Sequence, residues 1–181
     1  MGVEILEQAT DLPAAVETTS LTSITDNGGS KFLTFVLGQE EYGLEILKVR
    51  EIFGYMNITS VPQTPSYVKG VINLRGKVIP VVNLRSKFGM PEIEVSDETC
   101  IIVVDIVCGS ASIETGIVVD KVSEVLDILG SNIEPPPQFG NAVDTKFILG
   151  MGKVNERVKI LLDINAVLGE GIADFEALAQ G

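Results

Sequence analysis

Acidic side chains are the residues of this sequence best equipped for chemistry: 25 Asp and Glu stand against 13 Lys and Arg, a formal net charge of −12 over 181 residues. The chain has no His. That removes the commonest general acid–base, the Ser–His and Cys–His nucleophile pairs, His-ligated metal sites and histidine phosphotransfer. Carboxylate pairs remain open to it. Asp105, Asp120 and Asp163 lie in or beside apolar runs, where an Asp is a strand-end cap or turn former sooner than a catalytic acid. Glycine is frequent, yet no phosphate-cradling Gly-x-x-x-x-Gly-Lys-Ser/Thr or Gly-x-Gly-x-x-Gly stands at a strand-to-helix turn. Gly150-Met-Gly152-Lys153 falls inside a predicted strand pair, where close backbone approach explains its glycines. Cys100 and Cys108 bracket one predicted strand, about 26 Å apart at 3.3 Å per residue. A disulfide needs Cα atoms within about 7 Å, and two thiols without His make no four-ligand zinc site. The residues specify no reaction, metal or cofactor, and a binding module is favoured over an enzyme.

The charge is unevenly spread. Residues 1–30 hold Glu4, Glu7, Asp11, Glu17 and Asp26 with no Lys or Arg, and 169–181 are acidic too. Residues 48–87 are the reverse: Lys48, Arg50, Lys69, Arg75, Lys77, Arg85 and Lys87 against Glu51 alone. Such a run is either a solvated strand face or a patch for an acidic partner. The acidic whole argues against nucleic acid and anionic membrane as partners. The longest apolar run, Ile101–Val107, is strand-sized and interrupted by Asp105, far short of the roughly 18 to 20 residues of a membrane helix. No basic head and apolar stretch marks a signal peptide, so a cytoplasmic chain without membrane insertion is expected.

The elements that must position these side chains read as β. Residues 1–30, poor in periodicity and ending Thr25-Asp-Asn-Gly-Gly-Ser30, predict a mostly disordered tail. Phe32–Leu37 and Tyr42–Ile46 read as strands about a turn at 38–41, followed by one helical turn near 47–49. Pro62 and Pro65 demote 58–61 to an edge or loop. Val71–Leu74 and Val78–Val82 form a hairpin around Arg75-Gly76-Lys77, with Gly76 suited to a positive φ. Leu84–Phe88 is a short helix stopped by Gly89 and Pro91. Thr99–Val107 and Glu114–Val119 predict a hairpin buried on both faces, and Val122–Ile128 another strand or bend. Phe147–Lys153 and Val158–Leu162 pair around Asn155-Glu156. Asp163 N-caps a closing helix, Ile164–Leu168, ended by Gly169. Short strands at close spacing point to barrels or a sandwich.

The stretch from Gly70 to Arg85, GVINLRGKVIPVVNLR, resembles the signature of CheW-type chemotaxis coupling proteins. Tyr42–Ile52, Val61-Pro62, the Pro65-to-Gly70 lead-in and Gly116–Val125 are similar to the family's flanking motifs, so the resemblance runs from about Phe32 to Leu168. It implies a mainly β fold of two packed, five-stranded SH3-like barrels with short helices. The folded part would be 31–168, with barrels at roughly 37–90 and 97–168, the first strand near 31–37 shared or exchanged between them, and 169–181 a second tail. The resemblance implies no catalysis and no cofactor. It implies a cytoplasmic adaptor, recruited to membrane receptor arrays, that joins the chemoreceptor cytoplasmic tip to the regulatory domain of the histidine kinase CheA; the free chain is expected to be monomeric.

The same resemblance assigns receptor binding to Val49, Glu51, Gly70, Arg75 and Val125. A turn arginine can grip a partner carboxylate with its planar fork. Glu51 is then either a second contact or the carboxylate that holds Arg75. Val49 and Val125 are either core residues or the lining of a groove between the barrels that accepts a receptor helix, with Arg75 at its rim. Gly70 is either a contact or a backbone position needing positive φ. Four alternatives carry separate signatures. The same fold could serve another sensory pathway. A CheA fragment would need a phosphotransfer histidine or nucleotide-binding segment, a receiver fusion roughly another 120 residues, and a carboxylate hydrolase a deep pocket with two facing acids.

Overall fold

A computed structural model describes residues 29–108, 110–137 and 145–169. The predicted tails lie outside the described residues, apart from Gly29 and Ser30, which open the first strand, and Gly169, the last described residue of the closing helix. One sheet holds six strands. β1 (Gly29–Leu37) lies between β8 (Lys121–Leu129) and β2 (Glu40–Glu45), followed by β11 (Arg157–Leu162), β10 (Ile148–Val154) and the two-residue β9 (Ile133–Glu134). The other holds five, in the order β3 (Val49–Gly54), β6 (Cys100–Cys108), β7 (Ala111–Val119), β5 (Lys77–Asn83), β4 (Val68–Leu74). The fold is mainly β, as expected, but with β9 as a sixth strand in the first sheet.

The division of the chain near residues 90–97 needs correction. β6 and β7 join β3–β5, while β1 and β2 join β8–β11. The reason lies in their side chains, which are apolar on both faces. On β6, Ile101 and Val103 point into the second sheet's own interior with Ile72, Ile79, Val81 and Val118. Ile102, Val104 and Ile106 point the other way, against Leu33, Phe35, Leu37 and Leu44 of the first sheet. A strand dry on both faces must sit between two packing layers.

Three apolar layers result. Phe32, Ile128 and Leu161 fill the first sheet's interior. That sheet curls until a Cβ on Gly152 of β10 would lie 3.1 Å from Ile128 of β8. The second sheet closes through Thr59 and Val71, whose backbones exchange two hydrogen bonds of 2.9 Å. The largest layer is the one between the sheets. It also takes Leu84 from α1 (Leu84–Lys87) and Ile164, Val167 and Leu168 from α2 (residues 164–169). Asp163 caps α2 as expected, its carboxylate accepting from the Ala166 N–H at 3.2 Å. β6 runs from Cys100 to Cys108, so these residues stand at opposite ends of one strand.

A polar lock holds the sheets in register. Arg85 of α1 donates through Nε and Nη2 to the two carboxylate oxygens of Asp120, both at 2.8 Å, and through Nη1 to the Pro91 carbonyl at 2.9 Å. Asp120 also accepts from the Gly38 N–H at the β1–β2 turn, 2.8 Å. The Arg85 and Asp120 side chains are 11% and 17% exposed. Burial by itself raises the Asp120 carboxyl, but the Arg85 hydrogen bonds, the Gly38 N–H and the Arg85 charge outweigh it and hold the pKa below the ordinary carboxylate value.

An Asp with a lowered folded pKa contributes stability that is complete above its unfolded value, near 3.9, and lost as pH falls through the folded one. Asp120→Asn should therefore cost about 2 kcal/mol at pH 7, between the values for exposed and buried pairs. The gap from wild type in urea unfolding should close as pH drops below about 4. A second expectation concerns Thr115. It is fully buried on the face of β7 that carries Ile117 and Val119, and its hydroxyl finds no hydrogen-bond partner. Thr115→Val should raise stability by about 1 kcal/mol, read from the urea midpoint.

Candidate binding surface

Arg75 occupies the β4–β5 turn. Arg75 and Gly76 have φ of 53° and 86°, the paired positive values of a type I′ hairpin. The Asn73 side chain fixes the turn by accepting the Gly76 N–H at 2.8 Å. Gly76 was the residue expected at positive φ; that Arg75 shares it was not evident. The turn projects the Arg75 side chain, 69% exposed, into an ion pair with Glu51 of β3. Arginine is a cation at any ordinary pH, and the Glu51 hydrogen bond, then its charge, raises the Arg75 guanidinium's pKa further.

A β-bulge delivers Glu51 to that position. Val49 faces Val104 and Glu51 faces Val103, so Arg50 is the extra residue. A bulge re-aims the side chains around it. Val49 and Ile52, three apart, both reach the layer between the sheets. Phe53 enters the second sheet's interior, and Arg50 is left exposed. Arg50 meets an acidic pair: Asp105 and Glu114 sit directly opposite in the β6–β7 ladder, an arrangement that repels on its own. Arg50 Nη1 lies 3.2 Å from Asp105 and Nε 3.4 Å from Glu114, while Lys77 Nζ lies 3.1 Å from Glu114.

Of the five residues singled out in the sequence, the structure brings Glu51 and Arg75 into contact. Val49 is 9% exposed. It belongs to the core between the sheets and does not line an open groove, because the bulge turns it inward. Gly70, at φ 145°, is a packing requirement: a Cβ there would strike the Thr59 carbonyl. Val125 is half-buried on β8 of the first sheet, paired with Leu33 and packed on the same core.

The basic run at 48–87 is largely answered by carboxylates from later in the chain. Besides the contacts of Arg50, Lys77 and Arg85, Lys69 lies 3.5 Å from Glu92. Lys87 stands over the Tyr67 ring at 4.3 Å. Asp105 and Glu114 were the residues missed. The sequence shows neither the bulge nor the register that sets them opposite one another.

The chemistry open to this surface is charge pairing. Asp105 and Glu114, the facing acids a hydrolase would need, are engaged by Arg50 and Lys77 on an outer face. A cavity beside Arg85 and Asp120, lined also by Tyr55, Lys69 and Val118, measures about 30 Å³, room for one water. Among the described residues no cluster of Cys, Asp and Glu is arranged to hold a metal ion. No helix among them is long and apolar enough to cross a membrane.

Residues 31–171 match the model of the CheW-like domain. The chain is 43% identical over 140 residues to chemotaxis protein CheW of Klebsiella aerogenes, covering 77% of this chain and 82% of that protein. It is 37% identical over 141 residues to chemotaxis protein CheW of Bacillus subtilis, covering 77% and 87%. The crystal structure of the scaffolding protein TtCheW from Thermoanaerobacter tengcongensis is similar with a TM-score of 0.69 and 37% identity, covering 77% of this chain and 92% of that one. With its two-sheet body and a family match over residues 31–171, this chain belongs to the CheW family of chemotaxis coupling proteins, which act as scaffolds and not as enzymes.

Proposed function

We propose that this protein couples the cytoplasmic tip of chemoreceptors to the histidine kinase CheA, working in the cytoplasm as a monomer until it is recruited into receptor arrays. Family membership supports the reading, and the observation that carries it is the Arg75–Glu51 pair. An arginine is raised on a tight turn, oriented by one carboxylate and still largely open to solvent. Exposed ion pairs add at most about 1 kcal/mol to stability, so folding alone gives little reason for a strained turn arginine. A guanidinium so oriented can exchange or share Glu51 with a carboxylate on a receptor helix, to which its planar fork can make two parallel hydrogen bonds. In this reading Glu51 and Arg75 make the contact. Val49 and Gly70 set the backbone that carries them, and Val125 extends the surface onto the first sheet. The CheA regulatory domain, expected to share this fold, docks barrel on barrel elsewhere.

Arg75→Glu should weaken capture of a receptor-tip helical hairpin about tenfold or more, with its thermal transition and its binding of the CheA regulatory domain retained. The double exchange Glu51→Arg with Arg75→Glu restores the internal pair but should not restore capture. Undiminished capture by the folded single variant would contradict the proposal, and so would recovery in the double variant, which would assign the pair to folding alone.

A further inference from the structure

Glu114 is the meeting point of the positive charge on this face. Its side chain, 20% exposed, takes Lys77 on one oxygen at 3.1 Å and Arg50 on the other at 3.4 Å. Its field also reaches Arg75. Asp105, directly opposite, takes the other end of Arg50 at 3.2 Å. Stability is a weak reason for this arrangement. Facing carboxylates oppose each other across a ladder, and the cations they hold are more than half exposed, at 54% for Arg50 and 65% for Lys77. What the arrangement changes is the charge on offer. Without Glu114, Lys77 would lose the carboxylate it meets and Arg50 would keep only Asp105, so this face would carry one more positive charge beside Arg75, attracting acidic surfaces of any kind more strongly. With it, Arg50 and Lys77 are engaged inward.

We infer that Glu114 is a specificity-determining residue of the partner-binding surface: by answering Lys77 and sharing Arg50 with Asp105 it keeps the face around the Arg75–Glu51 pair from being basic overall, so that Arg75, the most exposed of the three cations, meets an acidic helical partner without a general attraction for acidic surfaces. The inference rests on the coupling reading, in which Arg75 meets a carboxylate. Discrimination here comes from withholding charge from wrong partners as much as from offering it to the right one. Glu114 reaches no partner itself; it acts through the cations it holds.

The test measures binding of two probes, a receptor-tip helical hairpin and a poly-glutamate peptide of unrelated sequence, at low salt and at about 0.5 M salt, where screening is nearly complete. Glu114→Gln should bind the hairpin roughly two- to fivefold more tightly at low salt, the effect of one unit charge at this range. It should gain more for poly-glutamate than for the hairpin, so that discrimination falls. Both gains should vanish at high salt, and Glu114→Asp should behave as wild type. Unchanged or weaker low-salt binding by a folded Glu114→Gln variant, with Arg75→Glu still losing capture, would overturn this inference and leave the coupling reading intact. Failure of the wild-type chain to bind the hairpin would overturn both.

Discussion

The apolar layer between the two sheets is the constraint on which the rest of this structure depends. Each sheet has its own interior, but those interiors are small: Phe32, Ile128 and Leu161 in one, and a ring of Ile and Val in the other. The greater part of the buried surface is shared, with Leu33, Phe35 and Leu37 on one side and Ile102, Val104 and Ile106 on the other. Hydrophobic stabilisation scales with area removed from water, so neither sheet holds enough of it alone. The exchange of strands follows from this. β1 and β2 travel to the sheet built by the end of the chain, and β6 and β7 to the sheet built by its beginning. The backbone crosses the shared layer repeatedly, and α2 lies across it with three buried side chains.

The polar features are arranged around that layer. Arg85 and Asp120 join α1, the β1–β2 turn and the β7–β8 corner at its edge. The bulge at Arg50 spends one residue to keep Val49 and Ile52 in the layer while sending Arg50 and Glu51 outward. The binding surface is therefore set from within. Glu51 stands beside Arg75 because Val49 is packed where it is, and the β4–β5 turn is held because Gly70 lets the 59–60 backbone approach. On the proposed reading, the same logic gives a buried valine and a glycine a part in partner binding without either touching a partner.

Local features were legible in the sequence because their causes are local. Gly76 and the paired residues Asn155-Glu156 marked two tight turns, and all of the latter have positive φ here. Asp163 marked its helix start, and the doubly apolar 99–119 hairpin marked itself as central. The Gly70–Arg85 motif pointed to the family and to Arg75. What stayed hidden depends on register. Strand exchange between the sheets leaves no mark in composition. A bulge shifts alternation by one residue, so Val49 and Glu51, two apart, lie on different faces where strict alternation would put them on one. Asp105 read as a turn former until the ladder set it against Glu114. The basic run at 48–87 looked unopposed because the carboxylates that answer it, at 92, 105, 114 and 120, come later in the chain.

A scaffold can hold two partners in fixed relation only if its own halves do not move independently, and in this fold the shared apolar layer makes the two sheets one cooperative unit. Native-state hydrogen exchange across a series of denaturant concentrations measures it directly. The slowest amides of β1 and β11 in the first sheet and of β6 and β7 in the second should share one opening free energy and one denaturant slope, both equal to those of global unfolding. Opening of one sheet at a clearly lower free energy while the other stays protected would contradict the account.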